Sequence, residues 1–112
     1  MLVSYSFTLQ AYKLEINAMN VKDIIQQSAP IIIDVRTPEE FERGHVSKSI
    51  NIPLQEVYNR VDEIKSLDAP IVLCCLIGGR SEQARTYLNG RGIECYNGGG
   101  WMDVDGFIAQ CA

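Results

Sequence analysis

Thiols are the most reactive side chains in this sequence, and two of its four cysteines, Cys74 and Cys75, are adjacent at the head of one loop. The loop reads Cys75-Leu76-Ile77-Gly78-Gly79-Arg80-Ser81 and runs from a short apolar stretch toward a helical one. Its paired glycines permit backbone angles closed to other residues, so successive amides can turn toward one point. Such a nest, reinforced by the positive end of a helix capped by Ser81, binds anions and lowers the pKa of a thiol held within it. Cys75 is therefore the candidate catalytic nucleophile, and Leu76, Ile77, Gly78, Gly79, Arg80 and Ser81 are the candidate substrate-binding residues. Arg80 carries the loop's charge and is expected to attract an anionic donor or to steady the loop through a carboxylate. On residue types alone the competing reading is a core cysteine followed by an ordinary Gly-Gly turn.

The remaining chemistry is sparse. Adjacent Cys74 and Cys75, with Cys95 and Cys111 far downstream, do not make the framework spacing of a small disulfide-stapled domain, so reduced thiols are expected. They do not make a Cys-x-x-Cys zinc knuckle either, and the single histidine, His45, is distant in sequence; no metal and no cofactor are expected. His45 follows a helix-ending glycine, a place for a structural hydrogen bond rather than for acid-base work. Trp101 is expected to pack in the core.

Short apolar runs must position the loop. Ile31 to Val35 and Ile71 to Leu73, the latter leading into Cys74 and Cys75, lack polar alternation and read as strands buried on both faces, as in parallel sheets. Shorter strands are expected at Ser49 to Ile52 and Glu94 to Tyr96. Between them Asn20 caps a helix carrying Val21, Ile24 and Ile25, and Thr37, Pro38 and Glu40 spell a capping box that Gly44 terminates. Leu54 to Leu67 places Val57, Val61 and Ile64 at helical spacing, and a helix starting at Ser81 carries Ala84, Tyr87 and Leu88 before Asn89 and Gly90 end it. Strands alternating with helices predict an α/β domain with a central, mainly parallel sheet and helices on both faces. In residues 1–19, taken as an N-terminal extension, the alternation Val3, Tyr5, Phe7, Leu9 predicts an edge strand; residues 20–112 form the domain proper.

With 112 residues, 46% of them hydrophobic and 21% charged, the chain has the balance of one globular domain with a self-sufficient core. A net charge of −4 offers no broad basic surface, so nucleic acid is not an expected partner. No run approaches the roughly 20 apolar residues of a membrane span, and the first residues lack the basic start and apolar stretch of a signal peptide, so a cytoplasmic protein without a membrane partner is expected.

From about Asn20 through Phe107 the sequence resembles single-domain rhodaneses. The segment IIIDVRTPEEFERGHVSKSINIP is similar to that family's Asp-Val-Arg segment with its Gly-His and Asn-Ile-Pro signatures, and GGWMD to its Gly-Gly-aromatic segment. Spacing aligns Cys75 with the family's persulfide-forming cysteine, in a loop of the form Cys-x-x-Gly-x-Arg followed by Ser. The resemblance implies a rhodanese-like fold and a sulfurtransferase. Such an enzyme moves sulfane sulfur from thiosulfate or a persulfide, through Cys75, to a thiol or cyanide. The partners implied are a small sulfur-containing anion or thiol, or a protein donor or acceptor. It also puts Arg36 near the site rim as a substrate-binding residue, although its position after a strand predicts an ion pair with Asp34 or Glu40.

Two departures from the family leave alternatives open. Many thiosulfate-using relatives have arginine directly after the cysteine, where this chain has Leu76, so the donor is expected to be less anionic or to be borne by a protein. Counted from Cys74 the loop reads Cys-x5-Arg, formally the phosphate-binding loop of cysteine phosphatases, including those on a rhodanese-like fold. A non-catalytic binding module that presents the apolar loop to a protein is the third reading.

Overall fold

A computed structural model describes residues 20–111. The strand expected around residues 3–9, and with it the N-terminal extension, lies outside the described residues. Among the described residues ten elements follow one another: α1 (Val21–Ser28), β1 (Ile31–Asp34), α2 (Pro38–Glu42), β2 (Ile50–Asn51), α3 (Leu54–Val57), α4 (Val61–Lys65), β3 (Ile71–Cys75), α5 (Gly79–Gly90), β4 (Cys95–Gly100) and α6 (Trp101–Ala109).

The strands form one sheet in the order β2-β1-β3-β4, and every neighbouring pair is parallel. Parallel strands need covered faces, because each crossover returns over the sheet. Alternate residues therefore feed two cores. Ile33, Val35, Ile71, Leu73 and Cys75 pack with Val57, Val61, Ile64, Ala84 and Leu88 of α3, α4 and α5 on one face. Ile32, Val72 and Cys74 pack with Ile24, Ile25 and Val104 of α1 and α6 on the other. The two adjacent cysteines thus belong to opposite faces of the sheet. No helix among the described residues is long and apolar enough to cross a membrane.

Local signals account for most boundaries. Asn20 Oδ1 accepts the Asp23 amide at 2.9 Å, and the Thr37 capping box is complete, with Pro38 at the first helical position. Three segments differ from expectation. The stretch from Leu54 to Leu67 is two short helices, because Arg60 leaves helical geometry (φ −119°, ψ 25°) and its carbonyl restarts the ladder by accepting Ile64 N–H. Spacing alone was blind to this break, since Val57, Val61 and Ile64 reach the same core across it. The last strand runs on through Asn97, Gly98, Gly99 and Gly100, and Trp101 then starts a helix that no side-chain cap announces.

The glycines of β4 have a packing cause. Pairing with β3 shifts register between Leu73↔Asn97 and Cys75↔Gly100, so β4 carries one extra residue, a bulge beside the Cys75 loop. A Cβ at Gly98 would lie 2.7 Å from both Val104 Cγ2 and Val72 Cγ1, closer than packed carbons come. Gly98→Ala is expected to cost about 1–3 kcal/mol, the usual penalty for overpacking a core, read as a lower urea midpoint with an unchanged slope. Wild-type stability would show that α6 shifts freely and that this glycine is not a packing requirement.

Candidate active site

β3 delivers Cys75 at its carboxyl end, where ligands bind in open parallel sheets, and the loop that follows folds back over the sulfur. Gly78 N–H donates to Cys75 Sγ at 3.0 Å, and Ser81 Oγ lies 3.3 Å from it. Gly78 is the glycine whose freedom the loop uses, at φ +111°. Gly79 does not take such an angle, and a Cβ there would meet nothing within 4 Å. The expectation that both glycines are conformationally required is corrected accordingly: one turns the chain, the other opens α5.

Ser81 is not the helix cap. α5 begins at Gly79 with Gly78 in the capping position, so Ser81 lies within the first turn, fully buried. Its oxygen lies beside the sulfur instead, and its hydroxyl has Asn97 Oδ1 at 2.7 Å and the Gly78 carbonyl at 3.1 Å as acceptors. That shift of the cap by three residues converts a capping hydroxyl into part of the cradle.

The electrostatics separate the cysteines. Burial pushes the Cys75 thiol up, but the Ser81 hydroxyl and the Ser81, Gly78 and Ile77 amides outweigh it, leaving the pKa below its ordinary value. Cys74, on the other face, is pushed up to about 12, first by burial and then by the Asp34 charge, with Arg36 opposing. Cys95 rises to about 11 by burial. Cys111 is exposed near the end of the described chain. Cys75 alone of the three buried thiols is placed to ionise, at 1% exposure.

The same facts remove Cys74 from the loop. A Cys-x5-Arg phosphate site needs the thiolate and the amides on one side, whereas Cys74 is fully buried under α1 and α6 with its ionisation suppressed.

Neither expected arginine stands free. Arg80 is held by both oxygens of Glu40, at 2.7 and 3.0 Å, which docks α2 onto the loop. The Arg80 bond and those from Thr37 hold Glu40 down to about 2. The pair's modest, partly solvated contribution is therefore present above the ordinary carboxylate range and fades as pH falls toward that value. Arg36, 3% exposed, grips fully buried Asp34 through Nε and Nη2 and donates to the carbonyls of Glu40 and Gly44. Its guanidinium lies 5.0 Å over the Trp101 ring, so Trp101 is partly buried and lines the groove beside Leu76 as well as packing. Asn51 ties the same turn by donating to the Asp34 and Arg36 carbonyls, both at 3.0 Å. His45 stacks on Phe41 and bonds its carbonyl, a local structural role.

Leu76 and Ile77 are 54% and 87% exposed, and with Met102 at 68% they form an apolar rim. Asn97 was not anticipated. It is a polar side chain inside a strand, and its only sequence signal is the Gly-Gly-Gly that follows, which marks a bulge rather than a partner across the fold.

A family profile described as "Rhodanese-like domain" matches residues 17–104. The chain is 36% identical over 74 residues to the thiosulfate sulfurtransferase PspE of Escherichia coli, covering 64% of this chain and 71% of that one. It is 43% identical over 67 residues to the uncharacterized protein YqhL of Bacillus subtilis, covering 59% of this chain and 52% of that one, so it spans about half the length of that relative. A solved structure titled "rhodanese with anions from E. coli" superposes with a TM-score of 0.60 at 36% identity, covering 65% of this chain and 88% of that one. A parallel sheet delivering a hydrogen-bonded cysteine at a strand end goes with a profile that matches most of the length, and the chain belongs to the rhodanese-like domain family.

Proposed function

We propose that this protein carries sulfane sulfur as a persulfide on Cys75. The observation that carries the reading is the convergence of the Gly78 amide and the Ser81 hydroxyl on a strand-end sulfur whose pKa is lowered. With thiosulfate as donor, the thiolate attacks the outer sulfur; the thiosulfate S–S bond breaks, a Cys75 Sγ–S bond forms, and sulfite departs with the electron pair. An acceptor thiolate or cyanide then attacks the outer sulfur and the Cys75 thiolate leaves, which gives ping-pong kinetics. The loop amides, already turned inward, stabilise the anionic persulfide without reorganising. Mass spectrometry after incubation with thiosulfate or polysulfide tests this: a gain of one sulfur is expected, and no gain with either donor overturns it.

The rim favours a donor that is not a small dianion. Leu76 and Ile77 present hydrocarbon, and both Arg80 and Arg36 are committed to carboxylates, so the loop itself offers a small dianion no uncommitted charge, and Arg43 across the groove beside Leu76 is the remaining cation near the mouth. A persulfide on a small thiol or on a protein whose apolar surface meets Leu76, Ile77 and Met102 is the donor this surface suits. Replacing Leu76 by arginine is expected to raise kcat/KM for thiosulfate about fivefold, the effect of roughly 1 kcal/mol from a partly solvated charge, and added salt should shrink the gain. Neutral persulfides should gain less. Equal gains for both donors would assign the effect to loop packing and end the argument about the donor.

A further inference from the structure

Asn97, the third residue of β4, spends its whole side-chain amide on the Cys75 loop and on its own bulge. Its Nδ2 donates to the Gly78 carbonyl at 3.1 Å and to Glu82 Oε1 at 3.3 Å. Its Oδ1 accepts Gly99 N–H at 2.9 Å and faces Ser81 Oγ at 2.7 Å. These partners fix the amide's orientation, because a backbone N–H can only donate and a carbonyl or carboxylate can only accept.

Ser81 therefore has one proton and three groups in reach that can take it: Asn97 Oδ1, the Gly78 carbonyl at 3.1 Å, and the Cys75 sulfur at 3.3 Å. While Cys75 is a thiol, its S–H can donate to Ser81 and Ser81 to Asn97, a chain that satisfies every member. When Cys75 ionises, the hydroxyl must turn its proton to the sulfur. Asn97 Oδ1 then still holds Gly99 N–H, so the rotation leaves no buried group unpaired. The Gly78 bond matters as much. Gly78 presents its amide to the sulfur from a backbone region that glycine's own sterics define only loosely, and the bond from Asn97 fixes the carbonyl end of that residue.

We propose that Asn97 is a positioning residue for Cys75, holding the Ser81 hydroxyl and the Gly78 residue beside the sulfur from across the sheet edge. The inference rests on Cys75 being the sulfur carrier, but its test does not need a sulfur donor. The charged groups facing the site keep one state over the relevant range. From α5, Arg80 is raised by Glu40 of α2, and Glu82 is lowered by Arg85; from β3, Cys74 titrates only near 12. Alkylation rate against pH, measured with Cys111 replaced by serine to remove the exposed thiol, therefore reads the Cys75 pKa.

Asn97→Ala and Ser81→Ala are each expected to cut the thiolate fraction at a given pH about tenfold, one pKa unit. The double variant should cost less than the sum of the two single changes, because the Ser81 arm is lost only once. Asn97→Asp keeps the shape and both acceptor bonds but turns a carboxylate oxygen toward the Gly78 carbonyl and Glu82, and should raise the Cys75 pKa further than alanine does. A wild-type titration in Asn97→Ala or Asn97→Asp, with or without a lower melting temperature, would overturn the proposal, and so would additive effects in the double variant. Should Asn97→Ala not fold, Asn97→Asp decides alone. Absence of sulfur loading in the wild-type protein would instead refute the sulfur-carrier reading and leave the titration result standing.

Discussion

Replacing Cys75 by serine is expected to abolish sulfur loading completely, while Cys74→Ser loads to nearly the wild-type extent. Serine at position 75 should preserve the fold, since its oxygen can accept the Gly78 N–H and the Ser81 hydroxyl in place of sulfur. What it cannot do is ionise near neutral pH, and the neutral hydroxyl is a weak nucleophile toward sulfur. Cys74 sits on the opposite face of β3, packed against Val104 and Ile24, where a buried hydroxyl costs about 1–3 kcal/mol of stability but leaves the loop in place. Loading in both variants should be followed by intact mass, with the urea midpoint showing how much protein is folded. The pH dependence supplies a second check: because the Cys75 pKa is lowered, loading should persist below the ordinary thiol range near 8.5 and fall only as the thiolate is protonated. Loading in Cys75→Ser equal to wild type would refute the assignment, and loss confined to Cys74→Ser would revive the longer phosphatase-like register.

That outcome depends on a distinction which the sequence shows only in part. The buried runs around Ile33 and Leu73 announce parallel strands, and strand alternation then puts neighbouring cysteines on opposite faces; which face carries the cradle is decided by the loop. The Thr37 capping box and the Asn20 cap are local and are read directly, because the bonds span three residues. The cradle is not local. Ser81 meets Asn97 sixteen residues away, and Arg80 meets Glu40 across forty, so neither partner follows from spacing. Gly98 to Gly100 belong to the strand: Val72 and Val104 crowd the Cβ position at Gly98 and the Leu76 carbonyl that at Gly100, while Gly99 takes a φ of +80°. α6 likewise escapes notice because Gly106 interrupts its pattern and no capping side chain precedes Trp101.

Arg36→Met is expected to produce the largest loss of stability, about 3–5 kcal/mol, and only in consequence a loss of activity. The pair it breaks is deep: Asp34 is fully buried, Arg36 3% exposed, and the two are joined at 2.7 Å. Removing one partner strands a charge away from water, which costs far more than the intact pair contributes relative to apolar residues. Against a domain stability of roughly 5–15 kcal/mol, a loss of about 5 kcal/mol removes the whole margin at the low end and about a third of it at the high end. Methionine keeps an apolar stem over Trp101, so the loss reports mainly the charge and its bonds to the Gly44 and Glu40 carbonyls. The family resemblance places Arg36 at the site rim, and a substrate-binding role makes the opposite forecast: unchanged urea denaturation with a raised KM for an anionic donor. Pairing Arg36→Met with Asp34→Leu separates the two further. If the ion pair is structural, removing the second charge should restore part of the lost stability, since an apolar pair no longer strands a carboxylate. If Arg36 serves the donor, the double variant should denature no later than the single one and its KM should stay high. Recovery of the midpoint would show Arg36 acting through the turn that carries Glu40, and hence through the Arg80 contact that docks this turn on the Cys75 loop.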